Sequence, residues 1–217
     1  MNTIFAPGCA LTIENPEAAE KIHALLNRHI GQMERLDTCC RNSPDLPHGT
    51  SVINVCAGCD RRYRENYPHA STIALWEIID QNEFWEFPNY GGAAMSILDP
   101  CPVRTETRVH DAVRSLLQKM NITIVEAEKN RDKSICCGDS AWGALPAEKV
   151  KEKMRKRASQ MPENHVVVYC VSCIKSMHNG GKAPRHLVDL LFNQETHIGT
   201  FEPDQWHFEL EEYVKAH

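Results

Sequence analysis

The sequence predicts an α/β protein built as two pseudo-symmetric lobes with mainly parallel sheets. Three observations carry that expectation. Short apolar or β-branched runs alternate with amphipathic helical stretches, the pattern of parallel strands joined by crossover helices. The ten cysteines fall into two sets of the same internal order, C…CC…CxxC. In both halves, cysteines follow directly on strand-like runs.

In the first half, Thr3 to Ala6 is a short apolar run ahead of Cys9. Pro16 to Ile30 reads as a helix. Pro16 and Glu17 suit its first turn, and Ala19, Ile22, Leu25 and Leu26 form an apolar stripe. Glu34 to Thr38 leads into Cys39-Cys40. Val52 to Val55 is a β-branched run ending at Cys56, and a helical stretch follows. In the second half, Ala94 to Leu98 is a strand before Cys101. Thr105 to Met120 is a helix with Val109, Val113, Leu116, Leu117 and Met120 on one face, which leaves His110 for solvent. Ile122 to Val125 is a strand, Pro146 to Met161 a helix opened by proline, and Val166 to Tyr169 a buried-type strand ending at Cys170. Phe87 to Gly92, rich in Pro, Asn and Gly, separates the halves. The expected division is an N-terminal lobe over 1–90, a C-terminal lobe over 91–192, and an appendage over 193–217 with Trp206 and Phe208 as its packing residues.

Composition narrows the function classes. With 217 residues, 42 % hydrophobic and 24 % charged, the chain has ordinary globular values and room for two small lobes. Net charge is −5, so no overall positive field favours nucleic acid. The basic run Lys149 to Arg157 reads as a solvated helix face or as a docking patch for an acidic electron-transfer partner. No apolar run reaches the roughly 18 residues a membrane helix needs, and the first residues lack a basic and apolar leader pattern. A cytoplasmic protein without direct membrane insertion is expected.

Ten cysteines are many for such a chain, and in a reducing compartment they point to metal or redox chemistry. The first set is Cys9, Cys39-Cys40 and Cys56-Ala-Gly-Cys59, with spacers of 29 and 15 residues. The second is Cys101, Cys136-Cys137 and Cys170-Val-Ser-Cys173, with spacers of 34 and 32. A CxxC loop sets two sulfurs on one site. Adjacent cysteines diverge and suit an extended object with several metal atoms. Five thiolates exceed both the four of a tetrahedral zinc site and the usual four of an iron–sulfur site. Three readings stand open on these grounds: two clusters, two zinc sites with spare thiols, or a thiol relay without metal.

The pattern C…CCG…CxxC resembles the CCG domain in the cysteine-rich subunit of heterodisulfide reductase. It is similar also to iron–sulfur subunits of lactate, glycolate and glycerol-3-phosphate oxidation systems and of thiol:fumarate reductase. The segments Phe5-Ala-Pro-Gly-Cys9, Asp99-Pro-Cys101, Ile135-Cys-Cys-Gly138 and Tyr169-Cys-Val-Ser-Cys173 carry the likeness, as two tandem copies over about residues 1 to 192. The resemblance implies two noncubane [4Fe-4S] clusters between αβ lobes, with cluster iron itself as the reacting centre for a disulfide. By motif, Cys101, Cys136, Cys137, Cys170 and Cys173 would hold one cluster, and Cys9, Cys39, Cys40, Cys56 and Cys59 the other. It further implies an oxidoreductase of an anaerobe that takes a small thiol or disulfide and receives electrons from a separate electron-transfer protein. A non-catalytic electron carrier or cluster scaffold is the alternative. The chain departs from the pattern at Arg41, where the first pair lacks its glycine, and in the short spacer before Cys56. A missing helix or strand there would leave the first site more exposed.

Other residues are candidates for smaller roles. Gly138 would give backbone freedom beside the cysteine pair, and Pro7-Gly8 and Pro100 would fix the loops of Cys9 and Cys101. Arg61, Arg62 and Arg104 would offset cluster charge or bind a substrate carboxylate. His178 is a proton donor or a surface histidine. Trp76, Trp85 and Trp142 are core or lobe-interface residues. No glycine-rich phosphate loop follows a strand.

Overall fold

Asn15 shows how directly the helix that starts at Pro16 follows from the sequence. Its side-chain oxygen accepts the backbone N–H of Ala18 at 3.0 Å, capping a helix whose first residue is Pro16. That helix buries Ala18, Ala19, Ile22 and Leu26 and exposes Glu17 and Lys21. A computed structural model describes residues 2–38 and 43–217. Cys39, Cys40 and Arg41 lie outside the described residues.

The first lobe runs β1 (Thr3–Ala6), α1 (Cys9–Glu14), α2 (Pro16–His29), β2 (Glu34–Arg35), β3 (Ser51–Asn54), α3 (Ala57–Asn66), β4 (Ser71–Ala74) and α4 (Leu75–Gln81). The second runs β5 (Ala94–Leu98), a 3-10 turn (Cys101–Val103), α5 (Thr107–Lys119), β6 (Thr123–Glu126), α6 (Ala147–Ala158), β7 (His165–Val168), α7 (Val171–Asn179), β8 (Ala183–His186) and α8 (Leu187–Leu191). A final helix, α9 (Pro203–Ala216), follows. The described strands form two four-stranded sheets of order β2-β1-β3-β4 and β6-β5-β7-β8, with every neighbouring pair parallel. Ile4 pairs with Val52, and Ile97 with Val167. The expected α/β class with two similar lobes is what the chain adopts.

Val166, Val167 and Val168 are buried without alternation, as a strand covered on both faces requires. The edge strands β4 and β8 were not among the sequence expectations, and neither were α4 and α8 behind them. β8 reads Ala-Pro-Arg-His, and proline is tolerated there because an edge strand has a neighbour on one side only. The lobes differ in one connection. α6 bridges β6 to β7, whereas the described residues between β2 and β3 contain no helix.

The lobes pack reciprocally. α1, which starts at Cys9, lies against α7 of the other lobe, and the Cys101 turn lies against α3. α4 packs on α5. Trp76 meets the Tyr169 ring edge-on across the interface, and Trp85 packs on Phe192, so both tryptophans are buried as expected. A single apolar cluster runs through both sheets, from Phe5 and Ile53 to Ile97 and Val167.

Two expectations are corrected. His110 is fully buried rather than solvent-facing. The part of α5 that carries His110 and Arg114 faces Asp99, Glu126 and Arg131, so its buried surface is wider than one apolar stripe. Phe208 is 62 % exposed rather than packed. The inward face of α9 is set by Pro203, Trp206, His207 and Leu210 at helical spacing, which turns Phe208 outward.

Candidate functional site

Strand order reverses between β1 and β3 in one sheet and between β5 and β7 in the other. The carboxyl ends flanking such a reversal are where an open parallel sheet leaves a crevice. Cys9 follows β1 and Cys56 follows β3; Cys101 follows β5 and Cys170 follows β7. Cys56 and Cys170 are the N-cap residues of α3 and α7, whose first turns carry Cys59 and Cys173. Topology alone thus brings the outer members of each set together.

A shared cavity of about 300 Å³ is lined by Cys9, Cys56 and Cys59 of the first set and by Cys101, Cys136, Cys137, Cys170 and Cys173 of the second. All eight described cysteines therefore face one space. Arg61 and Arg62 stand at its exposed rim, with Pro100, Asp139, Ser140 and His207 also in its wall.

Two glycines let the cysteines approach. Gly8 has φ +86°, and a Cβ there would sit 2.9 Å from Cys56 Cβ and 3.3 Å from Cys59 Sγ. Gly138 has φ +116°, and a Cβ would lie 2.7 Å from the backbone nitrogen of Met154 in α6. Only glycine takes these conformations without strain and leaves the space empty.

Buried Asp99 fixes the second set. Its carboxylate accepts both guanidinium nitrogens of Arg114 at 3.0 and 2.9 Å, the Tyr169 hydroxyl at 2.6 Å and the Arg131 N–H at 2.7 Å. Its carbonyl accepts the Ser134 hydroxyl at 2.6 Å. Arg104 donates twice to the Ser134 carbonyl, at 3.0 and 2.7 Å. One side chain and its peptide therefore tie Pro100-Cys101, Ile135-Cys136 and Cys170 into a single frame. Burial opposes the charge of Asp99, but the hydrogen bonds and charge of Arg114 outweigh it and hold the carboxyl below its ordinary range.

Cys101, Cys136, Cys137 and Cys173 lie close enough to shift one another's titration. Hydrogen bonds from Cys101 and Cys137, a contact with Ser140 Oγ at 2.9 Å and the Gly138 N–H at 3.4 Å drive the Cys136 thiol far below its usual range. The same bond to Cys136, together with burial, pushes Cys101 and Cys137 up, and the bond to Cys137 raises Cys173. These shifts favour a single thiolate at Cys136, and a positively charged group bound beside the neighbouring thiols would favour release of their protons to solvent.

The donor set fits a polynuclear metal–sulfur group. The cavity is about ten times the roughly 30 Å³ that one water occupies in the liquid. Among the described residues, no three His, Cys, Asp or Glu side chains converge on a single-ion position. The sulfurs border a volume instead of meeting at a point, and thiolates are the donors that iron–sulfur groups take.

His207 is a site residue that the sequence reading missed. It reaches the cavity from α9, stacks on Trp142 at 3.9 Å with a 5° tilt, and sets Nε2 3.1 Å from Asp139 Oδ1. The carboxylate can only accept, so Nε2 carries the hydrogen. Nδ1 is buried without a hydrogen-bond partner among the described residues. Nothing local could have marked it, because it lies 34 residues beyond Cys173 in a polar segment. Asp139, directly after Cys-Cys-Gly, was the available signal. The other candidates are placed more simply. His178 meets the Phe201 ring edge at 4.7 Å and is not in the cavity wall. Arg104 braces Ser134, and Trp142 holds His207.

Residues 95–178 match the family model of a cysteine-rich domain, CCG, a domain found in iron–sulfur oxidoreductases such as heterodisulfide reductase. The match runs from β5 through most of α7 and contains all five cysteines of the second set. The chain therefore carries one CCG cysteine-rich domain, and its clustered cysteines are consistent with an iron–sulfur site. No curated protein and no solved structure matches the chain. No helix among the described residues is long and apolar enough to cross a membrane.

Proposed function

We propose that this chain is a cytoplasmic iron–sulfur oxidoreductase acting on small thiol/disulfide substrates, with two tandem CCG-type lobes that each hold a noncubane [4Fe-4S] cluster. The observation that carries the reading is the shared cavity, onto which cysteines of both sets open. A carrier or scaffold has no need to make its two sites share a cavity.

Cys101, Cys136, Cys137, Cys170 and Cys173 would hold one cluster, and Cys9, Cys56 and Cys59, with Cys39 and Cys40, the other. Bound there, such groups supply electrons one at a time to a substrate sulfur. Splitting one disulfide takes two electrons and two protons and yields two thiols. The electrons come from a separate reduced electron-transfer protein.

The chain's own residues shape the rest. Arg61 and Arg62 at the rim offer guanidinium groups to a substrate carboxylate. His207 is held by Asp139 and Trp142, which fixes its ring as part of the cavity wall beside Asp139 and Ser140. The Asp99 frame keeps the Cys101, Cys136 and Cys170 loops in register.

Iron and acid-labile sulfide content of anaerobically purified protein tests the reading. About eight of each per chain supports two four-iron clusters, and reduction of small disulfides by a reduced viologen dye then checks the activity. Two zinc ions and no sulfide would sink it.

A further inference from the structure

α6 turns two faces to its surroundings. Val150, Met154, Arg157 and Ala158 are buried, while Lys149, Lys153 and Lys156 are exposed. Three of the six cations of this helix, Lys149, Lys151 and Arg155, have ion-pair partners among the described residues. Lys149 pairs with Glu152, and Lys151 with Glu148 and Glu202. Lys153 and Lys156 have no ion-pair partner among the described residues, so their charges are available to something outside the chain.

These two lysines border a second cavity of about 310 Å³, separate from the shared one, whose wall also includes Arg157 and Cys136. Cys136 borders both cavities. A neighbouring hollow is lined by Leu145, Lys149, Lys153 and Lys156, so the two lysines form the ridge between two depressions. Ile135 and Leu145, both exposed aliphatic side chains, belong to the same surface, one in each hollow. Apolar side chains beside uncompensated charge, next to a candidate cluster cysteine, are the composition of a protein-docking surface.

We propose that this α6 face, from Ile135 to Leu145 across Lys153 and Lys156, is where an acidic one-electron carrier protein docks. The inference rests on the oxidoreductase reading, since it supplies the route by which electrons reach the chain. Acidic side chains of the carrier would pair with Lys153 and Lys156, and its apolar contact would cover Ile135 and Leu145. Docking there brings the carrier to the outer side of Cys136 and leaves the shared cavity open to substrate. A small anion would use the lysines but leave both aliphatic side chains and the second hollow uncovered.

The test is calorimetric binding of an acidic two-iron ferredoxin to the anaerobically purified chain. The wild type, the double variant Lys153→Glu/Lys156→Glu, and Arg28→Glu as an exposed control on α2 are compared. The double variant is expected to bind at least about tenfold more weakly, and the control within about twofold of wild type. Wild-type binding is expected to weaken as salt rises to about 0.3 M, where screening sets in within roughly 6 Å. Equal binding by wild type and double variant, or no binding by the wild type, would overturn the proposal. So would saturable displacement of the ferredoxin by inorganic phosphate at constant ionic strength, which would mark a small-anion site. Iron and sulfide are counted on the same samples. A chain with both clusters and lysine-independent binding loses only the docking face. A chain without iron that still binds through the two lysines loses only the oxidoreductase reading.

Discussion

The Tyr169 hydroxyl donates to Asp99 Oδ1 at 2.6 Å, joining the ends of β7 and β5 just before Cys170 and Cys101. Removing the hydroxyl in Tyr169→Phe should cost about 1–2 kcal/mol, the worth of a buried bond to a charged group. Asp99→Ala should cost about 3–5 kcal/mol, because among the described residues it leaves buried Arg114 with Glu126 alone as its ionic partner. Urea unfolding under anaerobic conditions gives both numbers. Asp99→Ala should also lower iron content, whereas a carboxylate with no positioning role would leave the iron unchanged.

Glu14 and Lys175 form a buried ion pair between α1 and α7, and Lys175 also lies over the Trp206 ring at 4.8 Å. Lys175→Met alone should destabilise by roughly 3–5 kcal/mol, since it strands the Glu14 charge. Adding Glu14→Gln should recover a large part of that loss. A double-mutant cycle measures the coupling, and additive losses would show that the pair does not act as a unit.

Gly138→Ala places a methyl group 2.7 Å from the Met154 backbone nitrogen at a φ of +116°. A loss of about 2 kcal/mol or more is expected from strain and overpacking together. Gly143→Ala, whose Cβ would meet nothing within 4 Å, shares the positive φ without the clash. A smaller drop in melting temperature for Gly143→Ala would separate the two causes.

His110 is fully buried, and neither ring nitrogen has a hydrogen-bond partner among the described residues. Burial holds its pKa below the ordinary value, against the pull of Asp99 and with the help of Arg114 and Arg131. The folded state therefore keeps His110 neutral where the unfolded chain would protonate it. Its share of stability is intact above pH about 6.5 and is lost progressively as pH falls from there toward the folded pKa. His110→Leu should flatten that part of the stability–pH curve and be near neutral at pH 8. An unchanged slope in the variant would show that other groups cause it.

The legible parts of this fold were those whose residues report their surroundings locally. β1 and β5 stand where the apolar runs Thr3 to Ala6 and Ala94 to Leu98 put them, and α2 begins at Pro16. The edge strand β8 was hidden because Pro184 argues against a strand until its one-sided pairing is known. α4, with seven residues, and α8, with five, are too short for a helical period to show in the sequence. At the site, the cysteines of the second set announced themselves by spacing, and the matched CCG domain contains them. His207 did not, because its role depends on how α9 folds back over Asp139 and Trp142. Asp99 and Tyr169 stood beside cysteines in plain view, but only the structure shows that they hold each other.

The unbroken apolar cluster through both sheets has a consequence for the life of the chain in the cell. With the start of each cysteine set packed against the other lobe, separating the halves would expose apolar side chains of both. The two halves should melt together in a single calorimetric peak and resist proteases as one body. A destabilising change in either half would then unfold both, and the chain would be cleared as one unit.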